Sequence, residues 1–397
     1  MVSTQQGGKK PWLKYYDQGV PESIDYPPVS LDKLLEEAAA EFPDQPAIIF
    51  GGALGSTVMD QPLTYQQLDD AVNRFAAALQ SLGVQQGDRV AMFMPNCPQL
   101  VISYYGAMRA GAIAVPCNFL YTEKEIQNQL LDAGAEIIVV LTPFYHMVDS
   151  VRENTKLRHI IATNVKEYFP SFLRFMFTVA KEKKGGHAIQ LANPDDIWFQ
   201  DLLNNAVLPP QPVERKPEDT ACLIYTGGTT GIPKGAELTH RNVVSNAIAG
   251  SYWSQSKRGQ EVSIGALPFF HSYGMTAVMN LAIATGGAMV LIVDPRDVLH
   301  IMGSITKHKA TFYSAVPSSY ARINTHPDLG KFDLSSVRVC LSGAAPLPRK
   351  VQETFQDITG ARLVEAFGMT ESSPATHTNP LDRNKIGTIG VPSVSYT

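Results

Sequence analysis

Cysteine is scarce: the chain has four, Cys97, Cys117, Cys222 and Cys340, far apart and with no C-x-x-C spacing. That excludes a disulfide framework and a cysteine zinc site, and reduced, partly buried thiols in a cytoplasmic protein are the expectation. Charge of one sign is also missing. Thirty-three Lys+Arg against 37 Asp+Glu leave a formal charge of −4, without the strongly basic balance of a nucleic-acid binder. No long apolar run is uninterrupted. Met275 to Val293 carries no charge, but Asn280 and Gly286-Gly287 break it, so helix, turn and buried strand are expected there. Met1 to Lys10 carries charge with no apolar run behind it and does not read as a signal peptide.

What is present suits a large buried core: 397 residues, 44% of them apolar. Length sets a prior of two to three domains of ~150 residues each. A helix is expected over Leu31 to Glu41, then the strand Ala47–Phe50, a turn at Gly51-Gly52, and a helix entered at Leu63-Thr-Tyr65 with Thr64 as N-cap. The strand Arg89–Met94, helix Pro98–Arg109, strand Ile113–Val115, helix Glu123–Ala133 and strand Glu136–Leu141 follow. Short apolar strands alternating with amphipathic helices predict a mostly parallel sheet covered on both faces. The alternation resumes from Thr220 to Val339, which allows two such sheets or one large one. Tyr168 to Ala180 breaks the rhythm with a dense aromatic cluster followed by Lys181-Glu-Lys-Lys184. Such a segment either lies in a membrane interface or packs on the domain with a solvated end.

The sharpest local feature is Tyr225-Thr-Gly-Gly-Thr-Thr-Gly-Ile-Pro-Lys-Gly235, fed by the strand Ala221–Tyr225. Gly227, Gly228 and Gly231 free the backbone to turn its N–H groups toward a ligand. Thr226, Thr229 and Thr230 add hydroxyls, and Lys234 adds a cation; together they suit a polyphosphate. Lys234 precedes Gly235 rather than Ser or Thr, so this is not a Walker A loop, and it does not fit G-x-G-x-x-G. A plain Gly/Thr hairpin would explain the glycines but not the three threonines and the lysine. Downstream, Leu341-Ser-Gly-Ala-Ala-Pro346 follows a strand at Val337–Cys340, and Leu363 to Ser372 places Phe367, Thr370 and Glu371 around Gly368. Phe367 could stack on a base, Thr370 reach a phosphate, and Glu371 hold Mg²⁺ through one oxygen. All three segments fall at the ends of strands, where open α/β sheets bind ligands.

With these residues the chain resembles the AMP-forming acyl-CoA synthetases of the adenylate-forming superfamily. The resemblance runs from Leu63-Thr-Tyr65 through the phosphate loop, Ser342–Pro346 and Phe367–Glu371 to Gly387-Thr-Ile-Gly-Val-Pro392. Within that superfamily, Pro11–Tyr15, Gly19–Pro21 and Thr370–Pro374 look most like long-chain fatty-acid CoA ligases. The resemblance implies an α/β fold with two sheets in αβαβα layers plus an incomplete β-rich subdomain. Residues 1–386 would form the large AMP-binding domain, 387–397 would begin the β-rich part, and a small C-terminal domain with a catalytic lysine would lie beyond Thr397. It implies fatty acid, ATP and CoA as substrates and Mg²⁺ as cofactor, with acyl-adenylate formed first and thioester second. Lys234, Thr370, Glu371 and His271 would be catalytic. Thr226, Gly227, Gly228, Thr229, Thr230 and Gly231 would cradle phosphates. Gly343, Ala344, Glu365, Ala366, Phe367 and Gly368 would hold the nucleotide. Thr226 and Glu371 would serve the metal.

His271 lies in Leu267-Pro-Phe-Phe-His-Ser-Tyr-Gly-Met275, matching the family's aromatic position near the reacting carboxylate. Phe270, Tyr273, Met275 and Val316 are acyl-channel candidates, with ordinary core as the competing reading of each. Relatives often carry Ser and Tyr where this chain has Gly228 and Phe367. Aryl or medium-chain acid ligation, and a non-catalytic nucleotide- or acyl-binding homologue, stay open as alternatives, as do a homodimer and a membrane contact through 168–184.

Overall fold

The structure, a computed structural model, describes residues 10–226 and 233–394. Two mixed sheets organise them. One has seven strands in the spatial order Ile197–Trp198, His159–Thr163, Ile137–Leu141, Arg89–Phe93, Ile113–Cys117, Thr220–Thr226 and Lys234–Thr239. Its neighbours run parallel except for the final hairpin pair. The other has nine: Val391–Pro392, Ala375–Thr378, Arg362–Gly368, Val339–Ser342, Phe312–Ala315, Val262–Gly265, Ala288–Leu291, Pro46–Leu54 and Thr57–Thr64. Its interior, from Arg362–Gly368 through Pro46–Leu54, is parallel and its margins are antiparallel.

Strand side chains alternate between faces, and here both faces are buried. Val90 and Met92 point into a central core while Ala91 and Phe93 join an outer one with helix Glu123–Ala133. In the second sheet Ile48, Phe50, Met289 and Leu291 face the same central core. Ile49 and Val290 face an outer core beneath helices Val298–His308, Pro317–Asn324 and Arg349–Thr359. Helices Leu31–Glu41, Tyr65–Ser81, Pro98–Arg109 and His240–Trp253 fill the space between the sheets. The result is the expected αβαβα layering. Pro98–Arg109 is buried along its whole length, and two of its polar side chains find partners there: Gln99 donates to the Thr163 hydroxyl and the Asn164 carbonyl, and Arg109 to Asp69.

Helix starts follow local chemistry. Thr64 and Thr239 accept from the backbone of Gln67 and Asn242, whose side chains reach back to the capping residue's own amide. Met275–Asn280 is a π-helical turn, then Leu281–Thr285, a left-handed Gly286 and the strand Ala288–Leu291, so the uncharged stretch is helix, turn and strand. Among the described residues no helix is long and apolar enough to cross a membrane.

Two expectations need correction. No turn falls at Gly51-Gly52: the strand runs to Leu54, and the chain reverses at Gly55-Ser56 into Thr57–Thr64. The glycines serve close approach instead, since a Cβ on Gly51 would sit 2.0 Å from the Met59 carbonyl oxygen. The strand before Ser342-Gly343 starts later than expected, at Val339. Gly387 to Gly390 leads into the short strand Val391–Pro392, which pairs with Ala375–Thr378 at the margin of the nine-stranded sheet.

His240 opens the helix that later walls the site. It is buried, its Nδ1 accepts the Leu31 amide at 3.1 Å, and burial pushes its pKa down to about 4. Unfolded histidine titrates near ~6.5, so the neutral-ring contribution is complete above that pH and is lost as pH falls toward 4. Between pH 7 and 5 this single group should cost about 2 kcal/mol. Urea denaturation at both pH values should show His240→Gln losing that much less stability than the parent.

Candidate functional site

The carboxyl ends of the two sheets' parallel strands meet. Asn96, just after Arg89–Phe93, is buried, and its Nδ2 donates to the carbonyls of Gly265 (2.9 Å) and Leu267 (2.7 Å). Its Oδ1 accepts the Phe269 amide at 2.9 Å. One side chain from the seven-stranded sheet thus shapes the segment leaving Val262–Gly265, two residues before His271. There the Tyr273 amide donates to His271 Nδ1 at 3.2 Å, which leaves a neutral ring with its proton on Nε2. The residue as a whole is exposed, yet the apolar surroundings of its ring disfavour the charged form and lower its pKa.

A cavity of about 320 Å³ opens beside this histidine. Gly343, Ala344, Ala366, Phe367, Gly368 and Thr370 form one side, with Tyr273 and Ser272 beneath. Tyr273 donates to the Leu341 carbonyl at 2.7 Å, and Gly343 has no side chain because a Cβ would come within 3.2 Å of that ring. Ala344 has φ of +68°, a left-handed conformation that costs on the order of 1 kcal/mol or more for a residue with a Cβ and is common at binding sites. Phe367, 45% exposed, offers a ring face at the wall. The Ser272 and Thr370 hydroxyls approach to 3.5 Å.

The remaining wall is a part that motif reading missed. Asn246, Ala247, Ala249, Gly250 and Trp253 of His240–Trp253 line the cavity with Thr276, Ala277 and Leu281. Spacings of three, four and seven from Asn246 to Ala249, Gly250 and Trp253 were the available signal, and no motif drew attention to it. Asn246 also positions the neighbouring turn: its Nδ2 donates to Ser372 (3.2 Å) and Ala375 (2.9 Å) carbonyls, and its Oδ1 accepts the Ala375 amide at 3.3 Å. Among the described residues that line the cavity there is no Asp, Glu, Lys or Arg.

Thr226 and Lys234 face each other across the hairpin in register, the Thr226 hydroxyl 3.4 Å from the Lys234 carbonyl. The strand Lys234–Thr239 lies against the turn Thr370–Ser372, so the ends of both sheets converge on Thr370 and Glu371. Lys234 and Glu371 are exposed and stand outside the cavity lining. Gly227, Gly228, Thr229, Thr230 and Gly231 lie outside the described residues.

Several candidates sit elsewhere. Glu365 is turned away from the cavity, accepting the Leu347 amide at 3.3 Å, with its pKa raised by burial. Phe270 packs edge-on against Phe119 at 5.8 Å between centroids and is not on the wall. Met275 is fully buried, its sulfur accepting from the Tyr104 hydroxyl at 3.2 Å, and belongs to the central core. Val316 packs on that core as well. Of the four channel candidates, the cavity wall holds Tyr273.

A family model described as AMP-binding enzyme matches residues 35–396. The chain belongs to the AMP-binding enzymes. It is 38% identical over 395 residues to a long-chain-fatty-acid–CoA ligase of Bacillus subtilis, covering 97% of this chain and 68% of that protein. A protein of the same name from Yersinia pestis is 34% identical, with the same coverage of both chains. The chain therefore spans about two thirds of the length of these relatives. Among solved structures, a long-chain-fatty-acid-CoA ligase from Archaeoglobus fulgidus superposes with a TM-score of 0.77 at 25% identity, covering 96% of this chain and 72% of that one.

Asn96→Ala removes three buried hydrogen bonds at once and should lower unfolding free energy by about 2–4 kcal/mol. Asn96→Asp should be no better, because a carboxylate oxygen would face the Gly265 and Leu267 carbonyls. Equilibrium denaturation of both variants checks this.

Proposed function

We propose that this AMP-binding enzyme takes part in making fatty acyl-CoA: a long-chain carboxylate attacks the α-phosphorus of ATP, pyrophosphate leaves, and the CoA thiol then displaces AMP. The observation that carries the acyl assignment is the uncharged cavity beside His271 and Gly343, walled by small and apolar side chains. An amino-acid or dicarboxylate substrate would leave a second charge there unpaired. The names of the Bacillus and Yersinia relatives support the same reading.

A carboxylate is a poor acyl donor, and phosphoryl transfer is governed by positioning and charge stabilisation. In this reading Thr226, Thr229, Thr230 and Lys234 receive the β- and γ-phosphates, with backbone amides of Gly227, Gly228 and Gly231. Thr370 donates to the α-phosphate, and His271 presents Nε2–H toward the reacting carboxylate. Gly343, Ala344, Ala366, Phe367 and Gly368 hold the adenosine, and Ala247, Gly250, Ala277 and Leu281 receive the acyl chain. No group of three or more His, Cys, Asp or Glu side chains among the described residues could cage a metal. A magnesium ion carried by the phosphates needs only one or two carboxylates, and the exposed Glu371 fits that role, with Thr226 nearby in the proposal. Such an ion would neutralise charge on the phosphoryl oxygens. Residues 1–386 would then constitute the large nucleotide-binding domain and 387–397 the start of a β-rich one, in a cytoplasmic protein.

Millimolar ATP with Mg²⁺ should raise Tm by a few degrees, since a ligand at 100 times its Kd stabilises by about 2.7 kcal/mol. Lys234→Ala and Glu371→Gln, both at exposed positions, should leave the ligand-free Tm within about 1 °C and at least halve the ATP shift. Full shifts in both variants would show that the cradle is misassigned.

In the same assay a C16–C18 fatty acid should stabilise the chain and Ala247→Phe should abolish that effect while ATP still binds. Stabilisation by aryl or medium-chain acids alone would overturn the long-chain assignment.

A further inference from the structure

The helix Ser171–Ala180 takes no part in the site. Phe172, Phe175, Met176 and Val179 are all exposed, the two phenylalanines and the valine at 63%, 64% and 72%. Steps of three, one and three set the four on a single stripe. The helix cannot roll to hide them, because its other side is already occupied. Leu173 is buried against Gly52 of the strand Pro46–Leu54. The Phe177 ring meets Phe169 edge-on at 5.6 Å and His187 at 5.0 Å, and Phe169 in turn stacks on Phe50 at 5.5 Å.

Charge flanks the bare stripe. Lys166 pairs with Glu182 and Arg174 with Glu167. Lys181, Lys183 and Lys184 are exposed and have no ion pair among the described residues, although the whole chain is net negative. We propose that this face docks on an anionic lipid surface, the apolar stripe entering the boundary between headgroups and acyl chains while the three lysines meet lipid phosphates. The four side chains offer on the order of 450 Å², short of the ~800 Å² per partner of a standard protein interface. A bilayer needs no complementary shape, and an apolar stripe beside unpaired cations is the pattern it binds. The inference is independent of the acyl-CoA reading.

The experiment is co-sedimentation of the purified chain with phosphatidylglycerol vesicles and, separately, phosphatidylcholine vesicles, at low and high salt. Binding should favour phosphatidylglycerol and weaken with salt. The double change Phe172→Glu with Phe175→Glu, and the triple change of Lys181, Lys183 and Lys184 to Glu, should each weaken it at least tenfold. Phe172→Leu with Phe175→Leu should retain it, which separates lost contact from lost fold. Failure of the parent chain to sediment with phosphatidylglycerol, or unchanged binding in the glutamate variants, would overturn the proposal. So would a dimer in vesicle-free analytical ultracentrifugation that the Phe172/Phe175 glutamate variant dissolves, which would assign the face to a second copy. ATP-induced stabilisation should be equal in all variants, so a failure here leaves the nucleotide assignment untouched.

Discussion

Where a parallel strand ends, the next carbonyls and amides have no ladder to join, and burying them without partners costs as much as a lost hydrogen bond or more. A cavity built at strand ends must therefore find partners for irregular backbone. In this chain asparagine side chains provide many of them, since a carboxamide offers donors and an acceptor in the geometry of a peptide group. Asn96 holds the segment leading to His271. Asn246 holds the turn after Thr370 and Glu371. Asn379 holds the next stretch, donating to the Glu365 and Thr388 carbonyls and accepting from the Lys385 amide at 3.2 Å. Each reaches across to the backbone of another segment, and together they tie down the segments that border the cavity.

The layered core gives those asparagines fixed points to reach from. Alternate residues of a strand such as Arg89–Phe93 enter two different cores, so the sheet cannot shift register without exchanging buried faces. Helix His240–Trp253 is fixed between the sheets by His240, Val243 and Val244, which leaves its small residues Ala247 and Gly250 free to border empty space. The same helix is thus core at one end and cavity wall along one side.

Much of this arrangement is legible in the sequence, because much of it is local. The limits of Leu31–Glu41, Pro98–Arg109 and Glu123–Ala133 follow from apolar spacing and from capping or N1 residues that act within one turn. Ser342-Gly343-Ala344 and Phe367 to Thr370 are recognisable as short motifs in a fixed order at strand ends, and their glycines sit where a Cβ would crowd the Tyr273 ring and the Pro374 carbonyl. The hairpin Pro46–Leu54/Thr57–Thr64 was hidden for the opposite reason: Gly51 and Gly52 carry a turn signature, and only the cross-strand carbonyl of Met59 beside Gly51 and the Leu173 side chain beside Gly52 reveal why they lack side chains. Met275, Phe270 and Val316 show the same limit. An apolar residue near a catalytic motif can face core or cavity, and Met275 is assigned by Tyr104, a residue 171 positions away.

The distribution of charge follows from desolvation. Triphosphate and magnesium could not be held by a lysine and a carboxylate sealed in the central core, because each ion would lose its hydration long before a ligand arrived. Lys234 and Glu371 instead stand exposed at converging sheet ends, where, in the proposed reading, water solvates them until phosphate takes its place. The cavity next to them has the opposite requirement. In the proposed reading an acyl chain gains by leaving water only if it does not desolvate a charge on entry, and a wall whose described residues include no Asp, Glu, Lys or Arg meets that condition. His271 belongs at the border between these two environments: neutral, with Nδ1 committed to the Tyr273 amide, it can donate one hydrogen bond without bringing a buried charge into the apolar side.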